Sequence, residues 1–262
     1  MLKDAIAATG ESVETIAKLW VNDLFGITAR DAVIDLWNKD PDLGGYTVVA
    51  DIPHAPSPSD LTAEVLQLKA ANADVLFVTQ HEPGATLLQK ALKEYDVNFK
   101  LILATDAGQT TEYFQNAVRE DAAYIASRSS WNWDIEKEIS KQVDQAYYDL
   151  WGLHMTGINA RHWVGAYTVH KVFELAGSTD PEVLRQTLVD LYIDPAELIT
   201  PWGVQFYPPG HPERGQNKLA SGVIIQYMLD PESEYGVTTY TVWPFDAASR
   251  DAVFPIPTWA ER

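Results

Sequence analysis

Short apolar runs alternate with amphipathic segments through the first half of the chain. Ile16-Ala17-Lys18-Leu19-Trp20-Val21, Tyr46 to Ile52, Asp74-Val75-Leu76-Phe77-Val78-Thr79 and the run over 100–104 read as strands. Between them the period becomes helical. Ala29, Val33, Leu36 and Trp37 make one apolar stripe, Leu61, Val65 and Leu68 a second, and Leu87, Leu88, Ala91 and Leu92 a third. The punctuation agrees. Asn22 and Asp23 can cap the first helix, Ser59 or Asp60 opens the second, and Pro83 sits where a first helical turn tolerates it. A short helix over 110–117 and a fifth strand over the alanine-rich Ala122 to Ala126 complete the series. Strand, helix, strand in repetition predicts a parallel sheet in a doubly wound α/β unit.

The second half changes character. Ile139, Val143, Ala146, Tyr147 and Leu150 give a clean helical stripe. The segment 161–176 leaves little polar face, with Trp163, Val164, Tyr167, Val169, Val172, Phe173 and Leu175 spread around it. A helix apolar nearly all round expects cover on most sides. The helices over 139–154 and 181–192 are placed to supply that cover. Asp180-Pro181 opens the last helix, an acid cap followed by proline in the first turn. Trp202 to Phe206, Ser221 to Met228 and Val237 to Trp243 look like strands, and Pro208 to Gly215 a loop.

Composition narrows the function. The 262 residues are 46% hydrophobic and 11% aromatic, enough for a real core. With 37 acids against 19 bases the net charge is -18. Such a surface repels a nucleic-acid duplex or an anionic membrane, so neither is an expected partner. No cysteine is present, which excludes disulfides and thiolate metal or redox chemistry. No apolar run approaches a membrane span, and Met1-Leu2-Lys3-Asp4-Ala5-Ile6 is no secretory core.

Several stretches carry a family resemblance in collinear order. They are Leu24-Phe25-Gly26, the run Thr62 to Val75 with its Lys69-Ala70-Ala71-Asn72, Ala176-Gly177-Ser178-Thr179-Asp180-Pro181-Glu182, Gly203-Val204-Gln205-Phe206, Gly215-Gln216-Asn217 and Val242-Trp243-Pro244. Together they resemble the substrate-binding proteins of ABC transporters with the type I periplasmic fold, in the leucine/isoleucine/valine-binding branch. The resemblance implies an α/β protein, periplasmic-binding-protein-like type I, with a doubly wound parallel-sheet lobe plus an incomplete second lobe. Residues 1–13 would close the first lobe and cross over, 14–130 would form the complete second lobe, 131–205 would hold a crossover and the first lobe's returning helices, and 206–262 would supply closing strands, the crossover back and the tail. The family builds most of its first lobe ahead of the position of Leu24-Phe25-Gly26, where this chain has few residues. The resemblance therefore implies an N-terminally truncated protein whose full-length form is periplasmic, with a leader upstream.

The implied function is the solute-binding component of an ABC importer. It would take an amino acid of branched-chain type, or a related small polar organic ligand, between two lobes and present it to permease subunits, with no cofactor. A cytoplasmic amide- or ligand-sensing regulator on the same fold is the alternative. Ligands of wound α/β sheets sit beyond the carboxyl ends of the strands. Asp106 falls there; the resemblance makes it the acceptor for a ligand ammonium, and a helix cap is its other reading. Phe25 aligns with an aromatic pocket position. Gln80 and His81 stand where the family often has tyrosine, which changes the donors the pocket offers. Trp131 and its neighbour Trp133 either wall a larger ligand or pack a hinge.

Catalysis is not expected. The Gly-x-Ser-x-Gly elbow, the Gly-x-x-x-x-Gly-Lys loop, Gly-x-Gly-x-x-Gly and His-Glu-x-x-His are all missing from the sequence. His162 and His170 lie about 12 Å apart along one helix, too far to chelate one ion.

Overall fold

The computed structural model describes residues 2–39, 45–105 and 107–262. Asp106 and the side chains of Leu36 and Trp37 lie outside that description. The chain divides into two compact units, one of Met1–Arg128 with Ile224–Arg262 and one of Ser129–Val223.

The first unit is a sheet clothed by helices. Its elements run α1 (Leu2–Thr9), β1 (Thr15–Val21), α2 (Leu24–Lys39), β2 (Thr47–His54), α3 (Thr62–Ala71), β3 (Val75–Thr79), α4 (Glu82–Glu94), β4 (Leu101–Thr105), α5 (Glu112–Val118) and β5 (Ala126–Ser129). After the second unit, β6 (Val223–Leu229) and β7 (Val237–Trp243) complete it. The seven strands lie in the order β2-β1-β3-β4-β5-β6-β7. β1 to β5 pair in parallel, and β6 with β7 antiparallel.

Side chains alternate across the sheet, so each strand feeds two cores. Ala17, Leu19, Leu76, Val78, Ile102 and Ala104 face Leu61, Val65 and Leu68 of the α3 segment and Leu88 and Leu92 of α4. Ile16, Val75, Leu101 and Ala126 meet Ala5 of α1 and Phe254 of the tail. Burial on both faces is why the strands read as unbroken apolar runs.

A polar cluster interrupts the sheet beside α2. Lys18 is 4% exposed and reaches Asp51 of β2 at 3.3 Å. Arg30 of α2 pairs with the same carboxylate at 2.8 Å, and the Trp20 indole N–H donates to it at 2.8 Å. Burial opposes ionisation of Asp51, but Arg30, Trp20 and Lys18 outweigh it and hold the carboxyl below its ordinary range. A buried lysine in a strand is satisfied here by that charge.

Two expected strands differ. Residues Arg119–Ala122 form a 3-10 turn, and the fifth strand begins only at Ala126. Ala122 and Ala123 are buried in the core regardless, since alanine fits a turn or a strand equally well. Trp202 to Phe206 is not a strand; Val204 bridges Ile193 and Phe206 bridges Asn217 as isolated pairs. The Asn217 side chain takes the place of a ladder, accepting from the Gln205 N–H at 3.0 Å and donating to the Gly203 carbonyl at 2.9 Å.

The second unit is helical: α6 (Glu138–Trp151), α7 (Gly157–Ala176) and α8 (Pro181–Asp190). Thr156 and Asn159 close a reciprocal capping box at the start of α7. One stripe of α7, with Ala160, Val164 and Val172, joins Trp131, Ile135, Met155, Leu191 and Leu198 in the core. Ile139 and Val143 of α6 and Leu184 and Leu188 of α8 pack against that core. The other stripe is open, with Val169 56% and Phe173 46% exposed. The α6 and α8 helices thus cover only part of the apolar surface.

Candidate functional site

The carboxyl ends of β1, β2, β3 and β4 carry the chemistry of the first unit. Where β1 ends, Asp23 caps α2: its Oδ1 accepts from the Gly26 N–H at 3.0 Å. Gly26 is required there, because a Cβ would sit 1.8 Å from the Val21 carbonyl oxygen. The second oxygen, Oδ2, accepts from His81 Nε2 at 2.7 Å. The Gly26 N–H first, and His81 after it, keep the Asp23 carboxyl below its ordinary range. Phe25 stacks on the His81 ring with centroids 5.5 Å apart. Phe25 is 38% exposed and the His81 side chain 47%, so this layer meets solvent. With Nε2 committed to Asp23, Nδ1 is the remaining nitrogen of the half-exposed His81 ring.

A second layer lies beneath and is buried. His54 ends β2, Gln80 follows β3, and Gln109 lies in the turn after β4; their exposures are 3%, 0% and 3%. The Gln80 amide nitrogen is 3.1 Å from His54 Nε2, and Gln109 Nε2 donates to Gln80 Oε1 at 3.0 Å. The Tyr227 hydroxyl of β6 donates to the Gln109 carbonyl at 2.7 Å, and burial pushes that phenol up. Gly108 locks the turn to the layer above. Its N–H donates to the Gln80 carbonyl at 2.9 Å, and a Cβ there would stand 2.6 Å from the His81 carbonyl carbon.

The expected residues thus fall in different places. Phe25 and His81 come together at the surface, with Gln80 directly below. Asp106 lies outside the described residues. Trp131 belongs to the second unit, where it is fully buried and donates through Nε1 to Ser140 Oγ at 2.7 Å. Trp133, in that same unit, stacks on His154 at 5.2 Å. Three participants escaped the sequence reading. Asp23 was visible only as a cap. His54 ends a strand as Gln80 follows one, so the same positional rule reaches it. Gln109 carried no signal beyond its place after Gly108.

Two grooves lie elsewhere. One of about 590 Å³ runs between α1 and the segment 245–254, and one of about 790 Å³ along α8. Neither is lined by the strand-end residues, whose concentration of polar chemistry makes them the better candidate. No group of three or more histidine or acidic residues fit to hold a metal ion occurs among the described residues. Among them, no helix is long and apolar enough to cross a membrane.

Comparison with known proteins supplies the context. A family model described as periplasmic binding protein matches residues 7–214. A leucine binding protein from Thermotoga maritima is 16% identical over 94% of this chain and 65% of its own, with a TM-score of 0.71. A branched-chain amino acid ABC transporter periplasmic ligand-binding protein from Burkholderia xenovorans is 16% identical over 94% and 63%, TM-score 0.67. A solute binding protein of an ABC transporter from Rhodopseudomonas palustris, in complex with 3,4-dihydroxybenzoic acid, is 15% identical over 96% and 64%, TM-score 0.67. At these identities the likeness is one of fold. The chain spans 63–65% of the length of these three structures.

Proposed function

The chain belongs to the periplasmic binding protein family, and from that premise we propose that it is the solute-binding component of an ABC importer. Its first unit supplies one jaw of a ligand clamp. The ligand is a small polar organic molecule, an amino acid of branched-chain type or a relative of one. A facing jaw completes the clamp, and the closed protein docks on permease subunits in the periplasm.

The observation that carries this reading is the exposed Asp23–His81–Phe25 layer at the strand ends. It offers an oriented imidazole, an ionised carboxylate and an aromatic face side by side. Phe25 and His81 touch the ligand, Asp106 receives its ammonium, and the buried Gln80 supports them from below. The Thermotoga maritima and Burkholderia xenovorans proteins are named for leucine and for branched-chain amino acids, which supports the amino-acid class. The Rhodopseudomonas palustris protein holds an aromatic acid, so that class belongs in the same test.

One jaw alone binds weakly, because closure draws on contacts from both lobes. Titrating labelled chain with L-leucine and with 3,4-dihydroxybenzoate should move the amide and ring signals of Phe25 and His81, with a Kd on the order of 1 mM. No movement at those residues with either probe would overturn the assignment.

A further inference from the structure

The buried layer under the crevice has a direction, and His54 sets it. The Nδ1 atom stands 2.7 Å from the Ala55 carbonyl, which can only accept, so Nδ1 carries the ring hydrogen. A neutral ring then has a bare Nε2, and the Gln80 amide nitrogen donates to it at 3.1 Å. That choice turns Gln80 Oε1 toward Gln109, whose amide nitrogen donates at 3.0 Å. It leaves Gln109 Oε1 as the open end, buried and with no hydrogen-bond partner among the described residues. Every hydrogen in the chain points back toward Ala55.

A proton on Nε2 would face the two amide hydrogens of Gln80. The bonds can be remade only if Gln80 turns over and Gln109 turns over after it. The open end then changes from an acceptor to a donor. Gln109 sits in the turn that Gly108 wedges against the His81–Glu82 peptide, so the reversal is delivered beneath His81.

We propose that His54 is a positioning residue for the ligand crevice: its neutral ring orients the Gln80–Gln109 chain and seats the 108–110 turn against His81, and a proton on it reverses the chain and unseats the turn. This rests on the reading of the strand ends as the ligand site. The charged neighbours do not all pull one way. Glu64 of α3 and Asp23 before α2 favour the imidazolium, His81 at the head of α4 opposes it, and burial, the largest effect, holds the ring below its ordinary range. The unfolded chain takes up this proton near pH 6.5. It therefore binds more protons than the folded chain below that point, and stability present above it is lost as pH falls through the folded value.

Isotope-labelled full chain, titrated from about pH 8 to about pH 5, tests this by NMR. At the upper end His54 should show a protonated Nδ1 and a bare Nε2. The side-chain amides of Gln80 and Gln109 and the Gly108 amide should then shift with one midpoint, below the ordinary imidazole value of about 6.5. In His54→Leu the same three signals should stay flat. His54→Gln, which keeps an acceptor without a titrating proton, gives the same flat result if the leucine variant fails to fold. An Nε2-protonated ring, flat signals in the parent chain, or moving signals in the variants would overturn the proposal. Silence of both the L-leucine and the 3,4-dihydroxybenzoate titrations would overturn the binding reading and leave these signals as they are, so the two failures are distinguishable.

Discussion

The two units bury similar side chains by different means. In the first, a seven-stranded sheet takes helices on both faces, and backbone pairing from β1 to β7 fixes where each apolar group goes. In the second, three helices gather around Trp131 with two isolated bridges in place of a ladder, and α7 keeps an open apolar stripe. A sheet buries by register; a small helical cluster buries by anchors. The second unit should therefore concentrate its stability in fewer residues.

The sharpest way to break that contrast is at the anchor. Trp131→Ala should cost about 3–5 kcal/mol, with amide protection lost over α6 and α7 and kept in β3 and β4 by hydrogen exchange. Uniform loss across both units would show that they open together. Leu76→Ala, in the sheet's core, should cost about 2–5 kcal/mol with the opposite pattern of protection. Helix caps give a smaller, matched pair. Asp23→Ala and Thr156→Ala should each cost about 1 kcal/mol in denaturant unfolding, and only the former should also move the His81 ring signals. Least of all, Phe173→Ser on the open stripe should stay within about 0.5 kcal/mol. A loss of the size expected for Trp131 would mean that this stripe is covered in solution.

Much of the first unit was legible because strands buried on two faces leave continuous apolar runs, and 75–79 and 101–105 fell where the pattern put them. Ala122 to Ala126 misled because alanine has no shape to commit it. Trp202 to Phe206 misled because its hydrogen bonds go to one asparagine side chain rather than to a strand. At the site, position was readable and depth was not. Gln80 and His81 are consecutive, yet one is sealed and the other half open, since successive residues at a strand end point to opposite sides. The roles of His54 and Gln109 depend on which nitrogen holds a hydrogen, and residue type alone does not say.

Asp23 spends its two oxygens on different clients, the first turn of α2 and the imidazole of His81. A visiting molecule that draws the ring away leaves half of that carboxylate idle, while one that presses the ring home tightens the cap. If the proposed ligand site is real, occupancy at the mouth and fraying at the head of a sixteen-residue helix are two readings of one equilibrium, and either can be used to meter the other.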